Sequence, residues 1–448
     1  MNRKFKKLLR DPKLFFADMY KKRKMALKKY SPIKYQGTQQ YSVVSAVYNV
    51  GKYLDDYFTS LTKQSLDFKK HIHLILVDDG STDNSATIIK KWQKKYPKNI
   101  HYIYKENGGI ASARNLGMQH VKTKWVTFID SDDFVHPDYF KIVDDAISQN
   151  DSIKLAVGNL KFYFEENKLV QDTHSLRYRF NKEINLVPIQ NLDKNINLFV
   201  TVSFFQTEIL RNANIEFDSK IKPNFEDGKY LADYFLHAEN GDVAYLQKAV
   251  FFYRKRGDGS STIDGSWQKK EKFYNLFVYG YIPMLKAYKE KYGKIPKNIQ
   301  WTVLYEICWH IKTLINCDYK IDMLSNEETE TYYKLIRETL SYIDEQYIID
   351  FDLIGMWFFY KVGLLGLINK KPPFNIVYVE NVDREKQQIL VVYQYTQDHS
   401  VSFRLDNKDI IPQYRKITSY PFAKKTFVHE IRAWIPYESP NAQFSVVI

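Results

Sequence analysis

The stretch HIHLILVDDGSTDNSATIIKKWQKKY, residues 71–96, decides the fold class of this 448-residue chain. Its first nine residues are mostly apolar and predict a buried strand that ends at Asp78 and Asp79. GSTDNS then supplies a turn and helix N-cap residues, and the last eleven residues predict a helix. A strand, an acidic strand end and a helix in this order are typical of a sheet that binds ligands at the carboxyl ends of its strands.

Strands and helices alternate on both sides of this stretch. Five further runs continue the pattern: YSVVSAVYN (41–49, strand), VGKYLDDYFTSLTKQ (50–64, helix), IHYIYKE (100–106, strand), GGIASARNLGMQHV (108–121, glycine turn and helix) and KWVTFID (124–130, strand). This βαβα order predicts a mostly parallel, right-handed sheet with flanking helices. The expected fold class is therefore α/β.

Three carboxylates crowd the end of the last of these strands. Asp130, Asp132 and Asp133 stand within four positions, where their repulsion is unfavourable unless a cation is close. Hard divalent cations such as Mg²⁺ or Mn²⁺ take oxygen ligands and leave coordination positions for phosphates. An Asp-x-Asp alone is also common in exposed loops. The neighbouring motifs must therefore decide between a metal site and an exposed loop.

Four neighbouring motifs, in order, resemble glycosyltransferase family 2, the inverting enzymes of GT-A fold. They are SAVYNVGKYLDDYFTSLTKQS (45–65), LVDDGSTDNS (76–85), ENGGIASARNLG (106–117) and FIDSDD (128–133). The resemblance continues in FEDGKYLADYFLHA (225–238) and VFFYRKRGDGSSTI (250–263), and so covers roughly residues 40–262. It implies a Rossmann-like GT-A sheet, a nucleotide-sugar donor, and Mn²⁺ or Mg²⁺ as cofactor.

The resemblance assigns a set of residues to the nucleotide-sugar site. They are Tyr48, Asn49, Asp78, Asp79, Gly108, Gly109, Arg114, Asp130, Ser131, Arg254, Arg256, Ser260 and Ser261. Tyr48 and Asn49 would border the nucleobase, while Asp79, with Asp78 as second choice, would accept a hydrogen bond from uracil N3–H. Either aspartate could instead cap the helix that begins near Ser81.

Phosphate and metal contacts are expected from the next two motifs. The backbone of Gly108 and Gly109 allows close approach of a ligand, and Arg114 would pair with phosphate or with an acid of the site. A purely structural role is the alternative for Arg114. Asp132 would be the direct metal ligand, and Asp130 would reach the ribose or a metal-bound water.

The resemblance also supplies a catalytic pair. Inverting transfer needs a base that takes the proton from an acceptor hydroxyl as it attacks the anomeric carbon. The family places this base in an acidic pair at the start of a helix, which matches Glu226 and Asp227 in PNFEDGKYLADYF (223–235). Asp227 is the expected base, and Glu226 would orient the acceptor or the base. The alternative is an ordinary pair of acids that complements the helix dipole.

A glycine-containing segment follows the last strand of the resemblance. Arg254 and Arg256, with Ser260 and Ser261, resemble the family's flexible segment that closes over the donor and contacts its diphosphate. A surface loop without a role is the alternative. The sequence departs from the family in two ways, because it lacks a clear third metal ligand and the Gln-x-x-Arg-Trp signature of processive synthases.

The positive charge of the chain is concentrated at its start. Residues 1–30 hold twelve Lys or Arg against two Asp, a net +10 of the formal +14. We expect this basic amphipathic leader to contact an anionic membrane surface, with a solvated tail as the alternative. Nucleic-acid binding is disfavoured because no recognised binding module follows. With only two cysteines, the chain is expected in the cytoplasm, peripheral to the inner face of a bacterial plasma membrane.

The sequence predicts four segments: a leader and linker (1–38), a GT-A catalytic domain (39–265), a helical region (266–372) and a β-rich C-terminal module (373–448). LIGMWFFYKVGLLGLI (353–368) is only sixteen residues long and contains Lys361, so a buried or interfacial helix is preferred over a membrane span. The apolar final run AQFSVVI (442–448) favours a module that continues in a longer polypeptide. The alternative is a final strand within the module.

These observations predict an inverting, metal-dependent glycosyltransferase that uses a nucleotide sugar, expected to be UDP-linked. Its acceptor would be a glycan or lipid-linked glycan of a bacterial surface polysaccharide, such as capsule or a teichoic-acid-like polymer. The pathway rests on analogy, because the leader containing RDPKLFF (10–16) looks like leaders of capsule-polymer transferases. A lipopolysaccharide or protein-glycan transferase is the alternative within the class. A nucleotide-sugar-binding scaffold and a sugar nucleotidyltransferase are the alternatives outside it.

Overall fold

A computed structural model describes residues 35–238, 240–257, 264–372, 376–396, 402–437 and 443–447. The predicted basic leader, residues 1–30, and the donor-loop residues Ser260 and Ser261 lie outside the described residues.

A ten-stranded sheet forms the first half of the molecule. Its strands are β1 (Tyr41–Val47), β2 (Ile72–Asp79), β3 (Ile100–Lys105), β4 (Trp125–Phe128), β5 (Phe134–Val135), β6 (Ile153–Phe164), β7 (Leu169–Gln171), β8 (Ile184–Pro188), β9 (Ser203–Gln206) and β10 (Asp242–Lys255). The order is β3-β2-β1-β4-β9-β6-β10-β5, with β7 beside β6 and β8 beside β10. The first four strands in this order are parallel, which confirms the predicted α/β sheet.

Helices alternate with these strands as the sequence predicts. They are α1 (Gly51–Thr62), α2 (Phe68–His71), α3 (Ser85–Lys95), α4 (Ile110–Gln119), α5 (Tyr139–Gln149), α6 (Thr207–Asn212) and α7 (Glu226–His237). Helix α4 packs closely on the sheet, because a Cβ at Gly117 would lie 2.4 Å from Cγ1 of Val44. Strands β1 and β2 are buried almost throughout, as expected for parallel strands covered on both faces.

The second part of the sheet is mixed. β9 runs antiparallel to both β4 and β6, while β6 and β10 are parallel to each other. β5, which follows the acidic motif directly, pairs antiparallel with the carboxyl end of β10 through Phe134 and Phe252. This pairing brings the acids after β4 next to Arg254 and Arg256, because both arginines lie at that end of β10.

The helical region follows the sheet. Its elements are a 3₁₀ turn (Lys270–Phe273), a π-helical segment (Leu276–Tyr281), α8 (Ile282–Tyr292), α9 (Lys297–Leu314), α10 (Asn326–Leu340), α11 (Glu345–Asp350) and α12 (Phe358–Leu367). Its core is continuous with α7, because Phe225, Ala232 and Leu236 belong to the same buried cluster. No helix among the described residues is long and apolar enough to span a bilayer.

The C-terminal module consists of two antiparallel sheets, as predicted. Its strands are β11 (Val377–Asp383), β12 (Gln388–Tyr395), β13 (Ser402–Leu405), β14 (Lys408–Ile410), β15 (Tyr414–Phe422), β16 (Lys425–Pro436) and β17 (Phe444–Val447). One sheet has the order β11-β12-β16-β15 and the other β14-β13-β17. A strand, the alternative considered for the run 442–448, forms over Phe444–Val447 and pairs with β13.

Candidate active site

The residues predicted to bind the nucleotide lie at the carboxyl edge of β1, β2 and β3. The strand register sets Val47 of β1 beside Asp78, and Asp79 beside Lys105 of β3. Tyr48 follows β1 and is 52% exposed, so its ring is available at this edge. Asn49 has a left-handed φ of 53°, and its Oδ1 accepts a hydrogen bond from the Thr82 amide at 2.8 Å.

Asp78 and Asp79 are both buried and bind donors of the protein itself. Asp79 accepts hydrogen bonds from the amides of Gly108 (2.9 Å) and Gly109 (2.8 Å) and from Nζ of Lys105 (2.7 Å). Asp79 therefore ties the end of β2 to the start of α4, where Gly109 takes a φ of 87° that favours glycine. Because its carboxylate already accepts hydrogen bonds from two amides, Asp79 is held in a fixed orientation at the carboxyl edge of the sheet.

Asp78 holds the turn that follows β2. It accepts hydrogen bonds from the Ser81 amide at 2.9 Å and from the Tyr102 hydroxyl at 2.8 Å. The start of α3 is held by Asp83 instead, whose carboxylate accepts from the amides of Ser85 and Gly51, each at 2.9 Å. Helix α3 begins at Ser85 and its N-cap residue is Asn84, so neither Asp78 nor Asp79 stands at the start of this helix.

Arg114 joins three acids of the site from the middle of α4. Its side chain is only 3% exposed, and it bonds Asp227 at 2.7 Å and Asp130 at 2.9 Å. Glu226 lies 4.0 Å away. Burial works against its charge, but these three carboxylates hold the pKa of Arg114 above its ordinary value. The guanidinium therefore brings the end of β4 and the start of α7 to one point.

Glu226 and Asp227 open α7 after a strained residue. Phe225 has a left-handed φ of 84°, which is unfavourable for a bulky side chain, and its ring packs against Tyr281 at 4.6 Å. The helical region thereby fixes the direction in which α7 starts. Asp227 is held on its other oxygen by the Val200 amide at 3.1 Å.

Burial changes the ionisation of this acidic pair. It raises the pKa of Glu226 to about 8, with a further contribution from the charge of Asp227 that Arg114 partly opposes. Burial also raises the pKa of Asp227, and Arg114 again opposes the shift. A carboxyl group with a raised pKa is a stronger base once ionised, and near neutral pH Glu226 retains its proton.

The acids after β4 are held by the end of β10. Asp132 accepts two bonds from Arg256, from Nε at 3.1 Å and from Nη2 at 2.5 Å. Asp133 Oδ1 accepts the Arg254 amide at 2.8 Å, while its Oδ2 is buried without a hydrogen-bond partner. Burial and the neighbouring acids raise the pKa of both Asp132 and Asp133. Ser131 donates to the Ala46 carbonyl at 2.7 Å and holds the turn against β1.

This donor set suits a hard divalent cation whose coordination is completed by phosphates. Oxygen ligands from Asp130 and Asp132, with the unsatisfied oxygen of Asp133 behind them, are the kind that Mg²⁺ and Mn²⁺ prefer. Within the described ranges no group of three or more His, Cys, Asp or Glu side chains is arranged to bind a metal by itself.

Arg254 and Arg256 have different surroundings. The Arg254 side chain is 4% exposed, donates to the Asp132 carbonyl at 2.8 Å and to Asp56 at 3.0 Å, and lies 5.0 Å from the ring of Tyr53. Arg256 is 19% exposed and reaches the Asp132 carboxylate. Arg254 thus supports the acidic turn from behind, whereas Arg256 lies on the ligand side.

The structure adds residues that the sequence analysis did not single out. Lys105 could have been found from the strand register, since it ends β3 as Asp79 ends β2. Tyr53, which lies beneath both arginines, carries no such signal. Val200 contributes only its amide, which no residue-type pattern reveals.

A parallel sheet with buried acids at its carboxyl edge, and an acidic pair that Arg114 joins to Asp130 at the end of β4, is typical of an enzyme that binds its substrate at that edge. The model of the family described as glycosyl transferase family 2 matches residues 42–206. The minor teichoic acid biosynthesis protein GgaA of Bacillus subtilis (strain 168) is 30% identical over 352 residues, covering 77% of this chain and 74% of GgaA. The chain belongs to glycosyl transferase family 2, which confirms the resemblance and makes it an inverting enzyme of GT-A fold.

Two further relatives are informative. The minor teichoic acid biosynthesis protein GgaB of the same organism is 29% identical over 320 residues, and the match spans only 34% of its length. The crystal structure of S. aureus TarS 1–349 in complex with UDP-GlcNAc superposes with a TM-score of 0.55 at 19% identity, covering 73% of this chain and 87% of TarS 1–349. The TarS match supports the GT-A fold.

Proposed function

We propose that the protein transfers a sugar, with inversion, from a UDP-linked donor to a growing bacterial surface polysaccharide of the teichoic-acid or capsule type. The observation that carries this proposal is the Arg114 cluster, which holds Asp130 on the donor side and Asp227 on the acceptor side 2.9 and 2.7 Å from one guanidinium. Two further observations support the choice of substrates. GgaA and GgaB are named for teichoic acid biosynthesis, and TarS has been crystallised with UDP-GlcNAc.

The donor binds along the edge of β1, β2 and β3. Tyr48 and Asn49 border the uracil, and Asp79 accepts its N3–H, with Asp78 as the second candidate. The backbone at Gly108 and Gly109 leaves room for the ribose and diphosphate, because neither residue has a side chain.

Asp132, with Asp130, would hold Mn²⁺ or Mg²⁺, which would supply positive charge for the leaving diphosphate. In the structure Arg256 pairs with Asp132, and its proposed role is to contact the diphosphate of the bound donor. Arg254 acts as a positioning residue, because its guanidinium is already used by Asp132 and Asp56. The roles of Ser260 and Ser261 in closing over the donor are part of the proposal, and both residues lie outside the described ranges.

Asp227 is the general base. The acceptor oxygen forms a bond to the anomeric carbon while the bond from that carbon to the diphosphate oxygen breaks, and the acceptor proton passes to Asp227. Arg114 and the Val200 amide hold the Asp227 carboxylate in place for this step. Glu226, protonated near neutral pH, donates a hydrogen bond that orients the acceptor hydroxyl.

We place the enzyme at the inner face of the plasma membrane, facing the cytoplasm, where nucleotide sugars are made. The basic leader, residues 1–30, would contact anionic headgroups, at about 1 kcal/mol for each lysine or arginine near the surface. The acceptor would be a glycan or lipid-linked glycan within reach of that surface.

A donor screen tests the proposed function. Full-length protein is incubated with UDP-, GDP- and CDP-linked sugars and a purified wall polysaccharide, with and without Mn²⁺, and the released nucleoside diphosphate is measured. We expect release of UDP that requires both the polysaccharide and Mn²⁺. A scaffold would bind UDP-sugar and release nothing, and a nucleotidyltransferase would consume nucleoside triphosphate and form pyrophosphate. Either result would reject the proposal.

A further inference from the structure

Two tryptophans lie where the helical region meets the acidic pair. Trp309 on α9 is 42% exposed although the residues around it are mostly buried. Trp267 is partly exposed, and its ring contacts that of His310, the next residue after Trp309, with centroids 5.1 Å apart. A group of exposed aromatic residues marks a binding site more often than a single exposed residue does.

Two series of side-chain contacts connect Trp267 and Trp309 to the acidic pair. On one side Nζ of Lys272 lies 4.3 Å from the Trp267 ring and donates to Asn224 at 2.9 Å, two residues before Glu226. Lys272 is itself buried, so its side chain is held in place between Trp267 and Asn224.

The second series of contacts runs from Trp309 to Asp227. The ring of Trp309 packs against that of Tyr305 at 6.2 Å, and the Tyr305 hydroxyl is hydrogen-bonded to Ser175 at 2.6 Å. The neighbouring His174 packs on Phe199, which precedes the Val200 amide that holds Asp227. The two tryptophans are therefore on the side of the acidic pair, whereas the nucleotide edge of the sheet is formed by β1, β2 and β3.

Polar groups accompany the aromatic rings. Glu306 precedes Trp309 by one helical turn, and burial raises the pKa of its carboxyl group, which the charge of Lys272 opposes. Ser175 and Lys272 flank the two rings. Flat aromatic faces combined with a few hydrogen-bonding groups suit a ligand with apolar C–H faces and a rim of hydroxyls, which is the character of a sugar ring.

From this arrangement we infer that Trp309 and Trp267, with Glu306, form an acceptor subsite that holds a sugar ring of the glycan chain while its terminal hydroxyl lies at Asp227. This inference rests on the proposed function, and it adds the helical region to the substrate-binding surface. It makes the acceptor a glycan long enough to extend from the acidic pair to α9, so chain extension is favoured over transfer to a monosaccharide.

The test compares Trp309→Ala with Trp357→Ala. Trp357 is 75% exposed at the start of α12, so the control makes the same change at a surface without this arrangement. The full-length variants are run by affinity electrophoresis in gels containing wall teichoic acid purified from Bacillus subtilis, and KM values for this polymer and for UDP-GlcNAc are measured by UDP release. We expect wild type and Trp357→Ala to be retarded alike and Trp309→Ala to migrate freely. The polymer KM of Trp309→Ala should rise about five- to tenfold, the donor KM should not change, and Trp309→Tyr should restore most of the affinity.

Equal retardation of wild type and Trp309→Ala, or no retardation of wild type, would overturn the inference. Self-association that disappears in Trp309→Ala would also overturn it, because the surface would then bind a second copy. Calorimetry with UDP and Mn²⁺ distinguishes a failure of the proposed function from a failure of the acceptor subsite. A wild-type protein that binds polymer but not UDP would reject the proposed function, whereas UDP binding without an effect of Trp309→Ala on the polymer would reject only the subsite.

Discussion

Replacing Arg114 by methionine should destabilise the protein in a pH-dependent way. The guanidinium is 3% exposed and neutralises Asp227 at 2.7 Å and Asp130 at 2.9 Å, with Glu226 at 4.0 Å. Methionine has a similar length but no charge, so the variant leaves buried carboxylates without their cation. Breaking a buried ion pair from one side costs about 3–5 kcal/mol of folding free energy. We expect a loss of this size at about pH 8, where Glu226 and Asp227 are more ionised than at lower pH.

The sign of the pH dependence follows from the raised pKa values. Burial already raises the pKa of Asp227, and that of Glu226 to about 8, and removal of Arg114 raises both further. In the unfolded state the pKa values of these two carboxyl groups are about 4, and in the folded state they are higher. At any pH between these limits the folded protein therefore binds more protons than the unfolded protein. Stability of the variant should therefore recover as the pH falls from about 8 to about 5.

Chemical denaturation at about pH 8 and about pH 5 measures this difference. Arg179→Met is the matched control, because Arg179 is equally buried but donates to the carbonyls of Leu176 and Ile196 and to Asn197, none of which is ionised. Its destabilisation should be similar at both pH values. A loss below about 1 kcal/mol in Arg114→Met, or a loss that is the same at both pH values, would refute the three-acid cluster.

Three further predictions concern binding and catalysis. Asp132→Ala should abolish Mn²⁺-dependent UDP binding in calorimetry, because the diphosphate loses its bridge to the protein, and unchanged affinity would reject Asp132 as the metal ligand. If protonated Glu226 orients the acceptor, kcat/KM of the wild-type enzyme should fall above about pH 8. Glu226→Gln still donates a hydrogen bond and should stay active without this decline. An unchanged decline in the variant would contradict this role of Glu226. Deletion of residues 1–30 should weaken sedimentation with anionic liposomes in a salt-sensitive way while activity on a small acceptor remains, and equal sedimentation of both forms would exclude the leader as the anchor.

Local patterns were sufficient to predict the elements of the nucleotide-binding half. The strands β1 to β4 are apolar runs that end at polar or glycine-containing turns, so strand position and the ligand edge could both be read from the sequence. A β-rich C-terminal module was also predicted, and the structure has two antiparallel sheets there. Residues 266–372 were predicted only as a helical region, and the structure divides the start of that region into a 3₁₀ turn, a π-helical segment and α8.

The contacts that define the site were not predictable, because they join distant parts of the chain. Arg114 and Asp227 are 113 residues apart, and the sequence alone left phosphate, an acid or a structural role open for Arg114. The strained start of α7 depends on packing between Phe225 and Tyr281, which belongs to the helical region. Arg254 was expected at the diphosphate, yet its surroundings favour support of Asp132, since only the fold brings Tyr53 and Asp56 to its side chain.

The most direct test of the central claim separates donor binding from transfer in Asp227→Asn. Asparagine keeps the size of the side chain, and its one carbonyl oxygen can accept from Arg114 or from the Val200 amide, but it cannot take the acceptor proton. UDP affinity in the presence of Mn²⁺ should stay at the wild-type value, while polymer-dependent UDP release should fall by about 10²–10⁴-fold or more. UDP release within a few-fold of wild type would contradict Asp227 as the base and, with it, the proposed mechanism of transfer.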